Sequence, residues 1–394
     1  MSRGRVARGR VARGSFIVLS ALMVTAMAGC RSLPGSVPAG GPGSGADVRR
    51  DAMEAEAIRR ATRVVADWQL AHPGPHGPDE WHGAPFWAGV VAFAPLSNDR
   101  ERYLAAARAN GERNAWQPGP EPFSADHHAI TQSYFMLYAV DRDPKEIEAS
   151  LRRFDEVLRQ PIEPSLEFDY DRSERAWVWC DALFMAPPAL ALATQATGDR
   201  RYADRMSRLW WNTTDYLYDR DAGLFYRDSR AFGRREGNGA KVFWSRGNGW
   251  VLAGLARVLQ YLPADYPERP RFVALFREMA RAVAPLQGAD GYWRASLLAP
   301  ESWPGPETSG TAFFTYALAW GVNAAILDRG EYAPVVRRGW SALVRAVGPD
   351  GRLGYVQGPA EGPGPAGPDE TEIYGTGAFL LAGSEVYRLA TGAR

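Results

Sequence analysis

A chain of 394 residues, 46% hydrophobic, 12% aromatic and 23% charged, carries enough apolar material for a large core, which excludes a disordered or fibrous protein. Its 46 Lys and Arg against 45 Asp and Glu give a net charge of +1. Five of the arginines (Arg3, Arg5, Arg8, Arg10 and Arg13) crowd the start, so without them the rest is near −4, and the basic face that a nucleic acid or an anionic membrane surface would need is missing.

The chain opens with an Arg-rich stretch, an apolar run from Phe16 to Ala28, then Gly29 and Cys30. That run is too short for a permanent bilayer span and reads as a signal peptide over 1–29. Met27-Ala28-Gly29-Cys30 resembles a lipobox, which implies acylation of Cys30, export, and a membrane link through the lipid anchor alone. Residues 30–46 are lipidated cysteine and Pro/Gly/Ser tether, reaching roughly 20 Å as a flexible coil. The only other cysteine is Cys180, so a lipidated chain forms no internal disulfide. The remaining 47–394 is expected to form one helical body.

Three- and four-residue apolar spacing predicts helices near 48–71, 99–112, 129–140, 144–159, 181–196, 199–218, 248–261, 270–286, 309–328, 333–347 and 373–391, with at most short strands. Asp-Gly turns flanked by aromatics recur at Asp221-Ala222-Gly223, Asp290-Gly291 and Asp350-Gly351. A turn returning about every 60 residues after a helix suggests a repeated helical hairpin. About six such units fit, which predicts an all-α fold, an (α/α)6 barrel with short rim β-hairpins; two separate helical bundles are the alternative.

Common metal and nucleotide motifs are absent from the sequence, and the adjacent His127 and His128 cannot face one ion from one helix. No metal and no cofactor are expected. Carboxylates set among tryptophans suit carbohydrate instead. Asp181 follows Trp177-Val178-Trp179-Cys180, where desolvation would raise its pKa and a helix start would lower it. It reads equally as an N-cap. Asp126, before His127, has the same two readings. Cys180 reads as a small buried apolar residue rather than a nucleophile. In Trp244-Ser245-Arg246-Gly247-Asn248-Gly249-Trp250 the glycines would let backbone approach a ligand, and Arg246 offers a planar fork for a carboxylate. Thr308 and Ser309 open another helix, as ligands or as caps.

Together WVWCDALFMAPP, VFWSRGNGWVLAGL, PETSGTAFFTYALAWGVN and YGTGAFLLAGSEV resemble glycoside hydrolase family 105, the unsaturated rhamnogalacturonyl hydrolases, related to unsaturated glucuronyl hydrolases. The resemblance spans about Ala55 to Leu389. It implies an (α/α)6 barrel, no metal, and removal of a 4,5-unsaturated uronic acid from the non-reducing end of lyase-generated oligosaccharides. It implies Asp181 as the residue that protonates C4 and activates water toward C5, with Asp126 as the second aspartate. Arg246 and Trp250 would hold the uronate, and Trp179, His127, Trp244, Asn248, Thr308 and Ser309 complete the implied substrate contacts. Ala125 stands where an acidic residue often precedes that aspartate. A glycan-binding lipoprotein, or a lyase or epimerase on the same toroid, are the other classes.

Overall fold

The computed structural model describes residues 52–393; the signal peptide, Cys30 and tether lie outside the described residues. In chain order the helices are α1 (Ala55–Ala71), α2 (Ala84–Phe93), α3 (Arg100–Arg113), α4 (Thr131–Asp141), α5 (Glu148–Arg159), α6 (Tyr170–Ser173), α7 (Ala182–Met185), α8 (Pro187–Thr197), α9 (Arg200–Leu217), α10 (Ser245–Tyr261), α11 (Arg269–Val283), α12 (Thr308–Asn323), α13 (Arg329–Arg345) and α14 (Ile373–Thr391). Among the described residues, several one-turn 3-10 segments and one two-stranded antiparallel ladder, β1 (Tyr218–Asp219) with β2 (Leu224–Phe225), complete the regular structure.

Two kinds of helix follow from two sequence patterns. In α9 the buried residues include Tyr202, Met206, Trp210, Thr213, Thr214 and Leu217, a single apolar stripe that places the helix on an outer layer. In α12 every residue from Thr308 to Val322 is buried, so that helix is enclosed on all sides. The enclosed helices close a ring: α2 packs on α4, α4 on α8, α8 on α10, α10 on α12, α12 on α14, and α14 back on α2. Around it α3 lies against α2, α9 against α8, α11 against α10, α13 against α12 and α1 against α14, with α5 beside α9 as the sixth outer helix. This is the (α/α)6 barrel. Outer helices start cleanly because Asp99, Asp199 and Asp328 accept from the main-chain N–H groups of Arg102, Arg201 and Glu331, bonds that satisfy otherwise orphaned donors.

The Asp-Gly repeat has a packing reason. Gly223, Gly291 and Gly351 have φ of +66°, +93° and +98°, a region that disfavours side chains. A Cβ on them would come within 2.9 Å of Ala282 Cβ, 2.3 Å of Arg338 O and 2.8 Å of Val64 Cγ1. Each turn is thus seated on an outer helix, α11, α13 and finally α1, so the last turn closes onto the first helix.

Two expectations need correction. Helix α2 is absent from the predicted elements, because Ala84, Pro85, Phe86, Ala88, Gly89, Val90, Val91 and Phe93 are buried all around it and leave no stripe to detect. The helix predicted from 248 begins earlier, at Ser245, so the glycines expected to bring backbone to a ligand are helical. Gly247 and Gly249 lie inside that helix, where a Cβ would meet Cys180 Sγ at 3.1 Å and Phe313 Cβ at 3.0 Å. Their bareness admits neighbouring helices.

Candidate active site

A cavity of about 350 Å³ is lined by Trp81, Asp126, Trp179, Asp181, Met185, Arg227, Trp244, Arg246, Trp250 and the segment Pro359-Ala360-Glu361. Asp181 is carried there by the one-turn helix α7, which stops before Pro187 and re-forms as α8. Cys180 N–H donates to Arg227 O (2.8 Å) and ties this corner to the chain leaving β2. Asp181 has helical dihedrals and its carboxylate caps nothing, so the capping alternative falls away. Asp126 is the first residue of a one-turn 3-10 segment, Asp126–His128, whose cap position is held by Ala125, so Asp126 is not its N-cap either.

The two carboxylates share one electrostatic setting. Burial, reinforced by the charge of Asp181 and opposed by Arg227, pushes Asp126 up to about 7. Burial also raises Asp181, against the pull of Arg227 and Arg246 and a bond from the Cys180 thiol. That thiol donates to Asp181 Oδ2 at 3.5 Å, and its own pKa is raised well above its ordinary value by burial and the nearby carboxylate, so Cys180 stays a neutral neighbour. Both carboxyls resist ionisation, and Asp126 does so up to about 7, a shift toward the range in which acid–base chemistry works.

Arg227, which sequence reasoning missed, is the cation nearest this chemistry. Its Nε lies 3.6 Å from Asp181 Oδ2 and has no hydrogen-bond partner among the described residues. The same guanidinium pairs through Nη1 with Asp228 Oδ2 at 2.7 Å. The signal was the Arg-Asp-x-Arg run of Arg227 to Arg230 just past the aromatic hairpin. Trp81 and Glu361 were missed as well, since Trp81 opens a single 3-10 turn (Trp81–Gly83) and Glu361 sits in a loop, neither with a periodic signature.

Arg246 lines the cavity but its fork is engaged elsewhere. Nη1 donates to Gln357 O (2.5 Å) and Nη2 to Gly358 O (2.9 Å). The guanidinium lies over Trp244 at 4.3 Å and Tyr374 at 5.0 Å. Trp244 Nε1 donates to Gln357 Oε1 (2.9 Å), and Tyr374 Oη to Gln357 O (2.5 Å). The start of α10 therefore clamps the segment that carries Glu361 over the cavity. Trp250 is 1% exposed, wedged between Phe184 and Phe313, whereas half-buried Trp81 keeps ring surface open to the cavity.

Four predicted contacts lie off the cavity lining. His127 Nδ1 accepts from Glu121 N–H (2.8 Å) and braces the turn that presents Asp126. Asn248 is fully buried, accepting from Phe225 N–H and donating to the carbonyls of Phe225 and Trp244. Thr308 donates to Gly354 O, and Ser309 to Glu307 Oε1. The cap of α12 is Glu307, which accepts from the N–H groups of Ser309 and Gly310. These residues hold walls in place. Trp179, Trp244, Arg246 and Trp250 do meet at the cavity with Asp126 and Asp181.

Among the described residues one cluster has metal-ligating chemistry: His76, Glu80 and His82. The two imidazoles are stacked with centroids 3.8 Å apart and planes 7° from parallel. A shared ion would have to lie in both ring planes, so this arrangement could hold one only after a ring turned.

A helical toroid with two carboxyls of raised pKa among tryptophans and arginines suits a carbohydrate-active hydrolase. Residues 53–390 match Glycosyl Hydrolase Family 88, and the chain belongs to that family. An "Unsaturated 3S-rhamnoglycuronyl hydrolase" of Formosa agariphila is 40% identical over 334 residues, 82% of this chain and 88% of that protein. A solved glycosyl hydrolase family 88 protein from Bacteroides vulgatus is 29% identical, with a TM-score of 0.77 over 85% of this chain and 99% of its own. A solved protein described as a polysaccharide lyase is 33% identical, also at TM-score 0.77, covering 85% of this chain and 97% of its own.

Proposed function

We propose that the chain removes a 4,5-unsaturated uronic acid from the non-reducing end of lyase-generated oligosaccharides, with a rhamnose-type sugar as the leaving partner. The observation that carries this reading is the pair of half-buried Asp126 and buried Asp181, without salt-bridge saturation, beside an arginine Nε that has no hydrogen-bond partner among the described residues. Asp181 delivers a proton to C4 of the enol ether, and positive charge develops at C5. Water adds there, giving its proton to the same carboxylate, and the hemiketal opens to release the remaining sugar. Asp126, near neutrality in pKa, stays protonated long enough to donate a hydrogen bond to the sugar ring. Arg227 Nε faces the uronate carboxylate, in place of the occupied fork of Arg246.

The family membership and the rhamnoglycuronyl relative support hydrolysis; the similarity to a protein described as a lyase supports the opposite reaction. Ultraviolet absorbance separates them, since hydration destroys the conjugated double bond and elimination creates it. Incubation with lyase-generated disaccharides should make the absorbance fall, and a rise on intact polysaccharide would overturn the assignment. The lipobox-like Met27-Ala28-Gly29-Cys30 further supports export and lipid anchoring. Cys30→Ser should then move the protein from the membrane fraction to the soluble one, and an unchanged distribution would remove the anchor.

A further inference from the structure

The turn that carries Asp181 ends at two consecutive prolines, Pro187 and Pro188, and the break leaves carbonyls behind. In an unbroken helix Phe184 O would accept from the main-chain N–H of residue 188, which a proline lacks. Ala189 N–H, the partner Met185 O would have, turns instead to Ala186 O at 3.1 Å. Both carbonyls belong to buried residues, where an acceptor without a donor is costly. A side chain from another helix takes them up: Gln132 Nε2, on α4, donates to Phe184 O at 2.8 Å and to Met185 O at 3.1 Å.

The amide is itself held from a third helix. Arg257 Nε, on α10, donates to Gln132 Oε1 at 2.6 Å, and Nη2 to Met136 Sδ at 3.3 Å. Arg257 and Gln132 are each 1% exposed. Arginine only donates and a main-chain carbonyl only accepts, so the amide has one possible orientation. A permanent cation on its oxygen also polarises the amide and strengthens its N–H groups as donors. Burying that cation on an amide and a thioether, with no carboxylate among these acceptors, costs free energy that an apolar residue packed there would avoid. One helical turn before Arg257, Gly254 makes room for α7: a Cβ there would come within 2.3 Å of Leu183 O. One face of α10 thus seats the first of three successive carbonyls directly and governs the next two through Gln132.

Phe184 N–H donates to Asp181 O at 3.0 Å, so the residue whose carbonyl Gln132 grips is one hydrogen bond from Asp181. We propose that Gln132 and Arg257 are positioning residues, which fix Asp181 against the substrate by supplying donors that the proline break withholds. The inference rests on the reading of Asp181 as the proton donor; neither Gln132 nor Arg257 lines the cavity, and both act through α7.

Gln132→Met keeps the side-chain volume and deletes both donors. Its kcat on an unsaturated disaccharide should fall by about 10- to 100-fold, the range for a reacting group misplaced by ~1 Å, while KM stays within about twofold. Arg257→Lys, a milder change that covers a Gln132→Met chain unable to fold, should move kcat in the same direction by less. Pro188→Ala returns an N–H to Phe184 O, so adding it to Gln132→Met should restore most of the lost kcat. Amide exchange across 182–186, read without substrate, should rise in Gln132→Met and fall back in the double variant. Unchanged exchange, or a kcat loss that Pro188→Ala does not restore, would overturn the proposal. Turnover by the unmodified enzyme is read separately: its absence, with exchange responding as expected, would remove the hydrolase reading and the catalytic role with it, and leave the clamp on α7 standing.

Discussion

Asp181 and Asp228 sit at opposite sides of one arginine and are 8% and 2% exposed, yet their chemistry diverges. Asp228 accepts from Arg227 and, through side chain and main chain, from Arg230, and these bonds hold its carboxyl below the usual range in spite of burial. Asp181 receives only a thiol at 3.5 Å and an Arg227 Nε at 3.6 Å, and burial raises it. Burial alone does not mark a reactive carboxylate. The mark is burial without pairing, which leaves lone pairs and a proton for the substrate.

Removing the unpaired carboxylate gives the largest functional loss expected here. Asp181→Asn should lower kcat on an unsaturated disaccharide by about 10³-fold or more, within the range for a lost acid–base group, while the melting temperature stays near wild type. Substantial residual turnover would separate Asp181 from the chemistry. Asp228→Asn should behave the other way: two guanidiniums lose their shared anion, and breaking such a buried pair costs about 3 kcal/mol. Its melting temperature should fall by several degrees. A thermally unchanged Asp228→Asn would erase the contrast between the two aspartates.

Arg246 sharpens the comparison from the cation side. It spans two carbonyls, and lysine cannot reproduce that fork. Arg246→Lys should therefore raise amide exchange across 357–361 by about tenfold, an effect Asp181→Asn should not share. Exchange that stays unchanged would return Arg246 to the role of uronate receptor. Crossing Arg246→Ala with an uronate-reduced substrate tests that alternative, because strictly additive effects exclude a direct contact.

The barrel was legible because its outer helices carry stripes and its Asp-Gly turns repeat, both local properties of sequence. Helix α2 was illegible for the opposite reason, since a helix enclosed on all sides has no stripe. The two aspartates were legible through their motifs as residues that line the cavity. Asn248, Thr308 and Ser309 shared those motifs but proved to hold walls, because a conspicuous polar residue at a helix start serves packing as readily as substrate. Arg227, Trp81 and Glu361 reach the cavity from short connecting segments brought together only by ring closure, between positions as far apart as 81 and 361. No spacing rule reports such convergence.

The smallest expected effect concerns Asp126 and depends on pH. Its folded-state pKa, about 7 against an ordinary 3.8, is raised, so the folded chain keeps a proton that the unfolded chain has released. Stability tied to this group is fully present below about pH 4, declines as pH rises toward 7, and stays reduced above that. The gap caps the effect at about 4 kcal/mol, and water at the mouth of a half-buried site reduces it to roughly 1–2 kcal/mol. Asp126→Asn removes the cost of ionisation, so its stability advantage over wild type should be larger at pH 8 than at pH 5, by about 1 kcal/mol in denaturant titrations. Asp181→Asn should shrink that pH dependence, because the charge of Asp181 is one of its causes. An advantage that is constant with pH would mean that Asp126 ionises normally, and that only one of the two carboxylates is under-paired.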